Sequence, residues 1–268
     1  MADVLRYENG KFGMDYVRFG GGKKPFVIIP GLGIKSIVLS APVIEKAYSV
    51  FCEDYTVYVL DRRDFIPEGF TVFDMADDIA EVMKALGLGG ACVFGTSQGG
   101  MIAQIIAAQH PDLADTLVLG STAARIFPQA EKVVENWVDL AEKGRAVELC
   151  RDFVDRLYSK EFAEKFGDMI VKFNADASDA ELERFARLAR ACTGFDLRDE
   201  IRSISCPVLV LGAENDRVLT GEASAEIASI LGCGIYMYPK EYGHAVYDEA
   251  NDYKQRILDF DKGRGRND

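Results

Sequence analysis

Ser97 sits at the centre of Gly95-Thr96-Ser97-Gln98-Gly99-Gly100, between an apolar run and a segment of helical spacing. A serine alcohol is a weak nucleophile, and one way to activate it is a sharp strand-to-helix turn that presents its Oγ to a base. Such a turn strains the serine backbone, and the residues two positions to either side must lack a Cβ for strand and helix to pass closely. Gly95 and Gly99 meet that demand. The pentapeptide alone arises by chance in roughly one chain in ten of this length, so its flanks decide its worth. Upstream, Ala91-Cys92-Val93-Phe94 is a short apolar run suited to a buried parallel strand; downstream, Met101, Ile102, Ile105 and Ile106 follow helical spacing as far as His110-Pro111.

A serine nucleophile needs a general base, and a carboxylate to orient that base. The chain has two histidines, His110 and His244. His110 falls at the C-terminus of the helix that starts at Ser97, where the negative dipole end favours an imidazole. At about 1.5 Å per residue that helix carries it roughly 18 Å away. His244, in the loop Tyr242-Gly243-His244-Ala245 after the last apolar strand, is therefore the candidate base. The candidate acid follows the preceding strand, in Leu211-Gly212-Ala213-Glu214-Asn215-Asp216, with Asp216 favoured and Glu214 as fallback. Asp248 is expected to start the last helix as its N-cap.

The elements that must hold these residues alternate. Val4 to Glu8 and Lys11 to Phe19 flank an Asn9-Gly10 hairpin signal. Strands are expected at 25–29, 56–60, 91–94, 116–119, 207–211 and 235–238, with helical patterns over 37–51, around 75–86, after Ser97, over 222–231 and over 248–260. This predicts an α/β fold: a mostly parallel central sheet with helices on both faces. Between about 123 and 203 strands vanish and helical periodicity takes over, with Trp137, Leu140 and Ala141 on one face, then Leu149, Phe153 and Leu157, then Phe166, Met169, Ile170 and Phe173. The division is a core of 1–122 and 204–268 with an all-helical insertion at 123–203.

Length and charge narrow the function class. The 268 residues carry a net charge of −12, so nucleic acid or an anionic membrane surface would be repelled, and the short basic stretch from Lys262 to Arg266 does not reverse that. No apolar run reaches the roughly 18 residues that span a bilayer, and the N-terminus lacks the pattern of a secretory signal, which leads us to expect a cytoplasmic protein. The six cysteines are scattered within apolar patterns, without metal or redox spacing. A small-molecule substrate is expected, with no metal, no cofactor, no nucleic acid and no membrane; oligomeric state is left open.

With the elbow Gly95-Thr96-Ser97-Gln98-Gly99-Gly100, the loop Gly212-Ala213-Glu214-Asn215-Asp216 and Gly243-His244, the chain resembles the α/β-hydrolase superfamily over nearly its full length, in the nucleophile, acid, base order of that fold. The resemblance implies that 123–203 is a cap and that the backbone N–H groups of Gln98 and Leu32 form an oxyanion hole. Two departures stand out. The loop after the third strand reads Pro30-Gly31-Leu32-Gly33 where many relatives begin with His-Gly, and Asp61-Arg62-Arg63-Asp64-Phe65 replaces an Asp-x-Arg-Gly-x-Gly pattern and is expected to be structural.

The implied activity is hydrolysis of a carboxylic ester through an acyl-enzyme. Same-fold acyl transfer, carbon–carbon bond hydrolysis or cofactor-free haloperoxidation are alternatives, as is a non-catalytic ligand-binding or receptor protein that uses the pocket. Phe127, Trp137, Phe153, Phe166, Phe173 and Phe185 are expected chiefly to hold the cap helices together, with some lining an acyl pocket. A hydrophobic ester is the preferred substrate, the acidic surface weighing against highly anionic ones.

Overall fold

The structure, a computed structural model, describes residues 1–263; the basic stretch that runs on to Arg266 passes outside the described residues. The strands are β1 (Asp3–Glu8), β2 (Gly13–Gly20), β3 (Lys24–Ile29), β4 (Tyr55–Leu60), β5 (Ala91–Thr96), β6 (Ala114–Gly120), β7 (Val208–Ala213) and β8 (Gly234–Tyr238). They form one sheet in the order β1-β2-β4-β3-β5-β6-β7-β8. β1, β2 and β4 pair antiparallel, and every pair from β4 to β8 is parallel. The expected hairpin is present, with a longer connection. Asn9 Oδ1 accepts the N–H groups of Lys11 (2.8 Å) and Phe12 (2.9 Å), so β2 pairs only from Gly13.

The helices are α1 (Ala41–Ala47), α2 (Val72–Ala85), α3 (Gln98–Gln109), α4 (Pro128–Glu142), α5 (Ala146–Leu157), α6 (Lys160–Asn174), α7 (Asp179–Arg190), α8 (Gly221–Leu231), α9 (Val246–Glu249) and α10 (Tyr253–Gly263). Two buried clusters lie on the two faces of the sheet. One joins α2, α3 and α8 to the strands and runs on into α4, α5 and α7; the other packs α1 and α10 against Phe26, Phe51 and Phe94. The Phe26 and Phe51 rings stack at 4.2 Å, and burial of each such side chain stabilises by about 1.5–3 kcal/mol.

Three expectations are corrected. The segment 37–51 is not one helix: 3-10 turns at Ile37–Ser40 and Ser49–Phe51 flank α1, because Pro42 in its first turn has no N–H to continue a preceding ladder. The C-terminal helix is broken into α9 and α10 by Ala250, whose ψ of 121° is extended. Asp248 lies inside α9 rather than capping it, the N-cap position being Ala245. Between β6 and β7 the chain forms α4 to α7, with Arg125 and Asp196 paired in an isolated antiparallel bridge near the ends of that insertion. Trp137 packs on Phe153 at 4.6 Å and Phe153 meets Phe185 edge-on at 6.0 Å. The apolar repeat of α6 is largely outward: Met169 is 64% exposed and Phe173 46%.

Candidate functional site

In a parallel sheet the loops after adjacent strands open at one end, and β5, β7 and β8 therefore deliver their following residues to the same edge. Ser97 follows β5, Asp216 follows β7 and His244 follows β8.

Ser97 is the first residue after β5 and the N-cap of α3, with φ 52° and ψ −125°. Positive φ in a residue with a Cβ costs of order 1–3 kcal/mol and persists only when the surroundings enforce it. Here they do. Ser97 N–H donates to Gly120 O (2.9 Å), while Ser97 O accepts from Gly100 N (2.9 Å), Met101 N (3.2 Å) and Thr122 Oγ1 (2.7 Å). With the backbone held on both sides, the half-buried side chain is left to project from the turn. A Cβ on Gly95 would overlap Gly99 O, and one on Gly99 would overlap Ile29 O and Pro30 O.

That contact sets a stability prediction. Gly99→Ala forces a methyl into backbone carbonyls that cannot swing away, and is expected to cost about 3 kcal/mol or more. Thermal unfolding should show a fall of about 6–12 °C or loss of soluble protein. Gly21→Ala is the control, since nothing lies within 4 Å of its added methyl, and should leave Tm unchanged.

His244 and Asp216 are both buried and meet through Nδ1 and Oδ2 at 2.7 Å. The other oxygen, Asp216 Oδ1, accepts the N–H groups of Val218 (2.8 Å) and Leu219 (2.9 Å). Burial alone would push the Asp216 carboxyl up; the charge and hydrogen bond of His244, with the two amides, outweigh it and hold the group below its ordinary range. An ionised Asp216 can only accept, so the imidazole presents an N–H to it from Nδ1, and Nε2 is the ring nitrogen left clear of that contact. Glu214 is exposed and its backbone, not its side chain, bonds to β8 through Tyr238 O. His110 is the C-cap of α3 at the far end from Ser97, with Nδ1 3.2 Å from Lys84 Nζ. Among the described residues no hydrogen bond joins Ser97 Oγ to the imidazole; in unliganded sites such contacts are commonly long and tighten around substrate.

The histidine loop is buttressed by the helical insertion. Ala245 N–H donates to Leu157 O at the end of α5 (2.7 Å), an approach so close that a Cβ on Gly243 would stand 2.6 Å from the same oxygen. Arg217, beside Asp216, donates from Nη2 to Tyr158 O (2.7 Å), and Ser159 N–H donates to Glu249 Oε1 (2.9 Å). The junction of α5 and α6 thus ties down both the Asp216 loop and the His244 loop.

Gly31 lies against Ser97, where an added Cβ would come within 3.0 Å of the serine Cβ. Leu32 follows in the same loop, and Gln98 is the first residue of α3, whose N–H is one of the helix's unspent donors. The Gln98 side chain is buried and donates from Nε2 to Leu188 O of α7 (2.6 Å).

Leu32 and Gln98 line a cavity of about 230 Å³. Ile37, Ile44, Phe153, Leu157 and Leu188 supply apolar wall, while Arg62, Arg184, Lys35, Tyr158 and Asp248 supply polar wall. Asp248, expected as a cap, lines this cavity and is solvent-exposed, and desolvation by the surrounding protein pushes its carboxyl up. Tyr158 OH donates to it at 3.3 Å. This cavity reaches the elbow through Thr96 and Gln98, on either side of Ser97, while Ser97, His244 and Asp216 are not themselves in its lining; a larger cavity of about 880 Å³ between Pro67–Thr71 and α7 is lined by no residue of the elbow. Of the cavity's polar residues, sequence reading missed Arg184 and Tyr158, which the insertion brings in from far along the chain. Arg62 had a signal, the departure after β4, but had been expected to be only structural.

The alpha/beta hydrolase fold family matches residues 24–251. The 3-oxoadipate enol-lactonase 2 of Acinetobacter baylyi is 22% identical over 215 residues, 77% of each chain. The serine hydrolase BPHL of Mus musculus is 23% identical over 255 residues, 92% of this chain and 82% of the mouse protein. Among solved structures, an alpha/beta hydrolase enzyme from a Medee basin deep-sea metagenome library superposes with a TM-score of 0.84 at 19% identity, covering 96% of both chains.

Proposed function

The chain belongs to the alpha/beta hydrolase fold family, and on that premise we propose that it is a serine hydrolase that cleaves a carboxylic ester of a small molecule. The observation that carries this reading is the buried 2.7 Å pair of His244 and Asp216, at the sheet edge where Ser97 holds a strained turn. Ser97 Oγ attacks the ester carbonyl carbon as its proton passes to His244 Nε2, and Asp216 holds the imidazole in the matching tautomer and offsets its developing charge. The N–H groups of Leu32 and Gln98 donate to the oxyanion of the tetrahedral intermediate. Collapse expels the alcohol, which takes the proton from His244. Water, deprotonated by the same histidine, then releases the acid from Ser97.

The chain order of Ser97, Asp216 and His244, nucleophile, acid and base, supports an enzyme over a binding protein that uses the same pocket. The apolar wall of Ile37, Ile44 and Leu188 supports a substrate with an aliphatic portion. In this reading the insertion at 123–203 is the cap that closes over it.

The test is a serine-directed fluorophosphonate followed by peptide mapping. One equivalent is expected on Ser97, with His244→Ala slowing the labelling by orders of magnitude. Folded protein that takes no label, or takes it elsewhere, overturns the assignment.

A further inference from the structure

Arg62 is 5% exposed, stands two residues beyond the end of β4, and lines the cavity beside the Pro30-Gly33 loop. Its Nη2 donates to Pro30 O (2.7 Å), while Nε and Nη1 have no partner among the described residues. An unmet buried donor costs about 1–3 kcal/mol, more when charged, so an arginine held this way points to a partner that is not part of the protein.

The nearest carboxylate cannot serve. Asp61 Oδ1 accepts from Arg62 N–H (2.7 Å) and from Arg184 Nη2 (3.3 Å), and Oδ2 accepts from Ser36 Oγ (2.5 Å). Arg184 reaches across from α7 to the same place, donating to Arg62 O (3.0 Å) and Arg63 O (3.3 Å). Two guanidinium groups therefore line a single wall of the cavity beside one carboxylate, and only that of Arg184 is bonded to it. Burial, with the neighbouring charge of Arg184 adding to it and Asp61 opposing, pushes the Arg62 guanidinium down to about 10. Asp248 is placed elsewhere, on the histidine-loop side with Tyr158 and Lys254.

Resting on the hydrolase reading above, we propose that this wall is an anion subsite, and that the substrate is an ester or lactone carrying a free carboxylate held by Arg62 and Arg184. The apolar wall then takes the aliphatic link between carboxylate and reacting carbonyl. This reverses the preference drawn from net charge: the surface of the chain is acidic, but the charge that meets the substrate is the local one, and in a low-dielectric cavity it dominates.

Two measurements separate the subsite from the chemistry. Calorimetry compares glutaramate, an anionic monoamide, with glutaramide, its neutral counterpart. Hydrolysis compares the 4-nitrophenyl monoester of glutaric acid with 4-nitrophenyl pentanoate. The anion is expected to bind about tenfold tighter or more, as a hydrogen bond to a charged group implies, and the anionic ester to show a similar advantage in kcat/KM. Arg62→Met should collapse both ratios towards one. Arg184→Gln, at a less buried position, should reduce them severalfold and decides the matter should Arg62→Met fail to fold. Equal binding of the two amides, or a preference that survives in the variants, overturns the subsite and leaves Arg62 as a brace for Pro30. Preferential anion binding without turnover of either ester supports the subsite and counts against the hydrolase reading.

Discussion

Replacing Ser97 with alanine is expected to lower kcat for ester hydrolysis by at least about 10⁴-fold, because the covalent step has no other nucleophile. The serine, base and acid act as a unit, so the residual rate should match that of His244→Ala rather than multiply with it, and the double variant should be no worse than either. Stability is the counterpart of the same prediction. Alanine keeps the Cβ and therefore the strain at φ 52°, and the bonds that fix the turn run from Ser97 N–H and O, not from Oγ. Tm should stay within about 2 °C of the native value, the range of a surface substitution. Progress curves with a chromogenic ester and a thermal melt on the same samples check both halves. A variant that hydrolyses at the native rate removes Ser97 from the mechanism; one that melts early means the lost activity says nothing about chemistry.

The turn at Ser97 was legible because its requirements are local. Two glycines at fixed offsets, an apolar run before and a helical period after are all written in neighbouring residues. His244 was legible through scarcity, since α3 carries His110 to its far end and leaves one imidazole at the sheet edge. Alternation of apolar runs with helical patterns was enough for the sheet, although strand ends fell one or two residues short where a glycine continued the pairing, as at Gly95-Thr96. What stayed hidden depends on contacts between distant segments. Nothing near Asp248 says that Ala250 breaks the helix and turns that carboxyl towards the cavity. Nothing near Gln98 says that its side chain reaches Leu188, ninety residues on. Arg62 shows the limit most plainly. Its place after β4 was readable, but that its donors are left unmet depends on Pro30, Asp61 and the arrival of Arg184 from the insertion, which no local pattern encodes.

Asp216→Asn is expected to reduce kcat by about 10⁴-fold while leaving the fold intact, since an amide of the same shape preserves packing but no longer demands the proton on Nδ1. Asn can offer an N–H where the carboxylate offers only lone pairs, and the imidazole can then carry its proton on Nε2, the atom that must receive one from Ser97. KM should move little, because Asp216 is buried behind His244 and does not line the cavity. The same substitution tests the titration. A carboxyl held below its ordinary range stabilises the fold at any pH above the unfolded value near 3.9, and that contribution is lost as pH falls through the lower folded value. The native protein should therefore exceed Asp216→Asn in Tm at pH 7, by the same margin at pH 5, and by a shrinking margin only below about pH 4. Melts of the two proteins across that range provide the check. A margin that shrinks already between pH 7 and pH 5 would place the titration on another group and break the link between the 2.7 Å contact and an ionised Asp216.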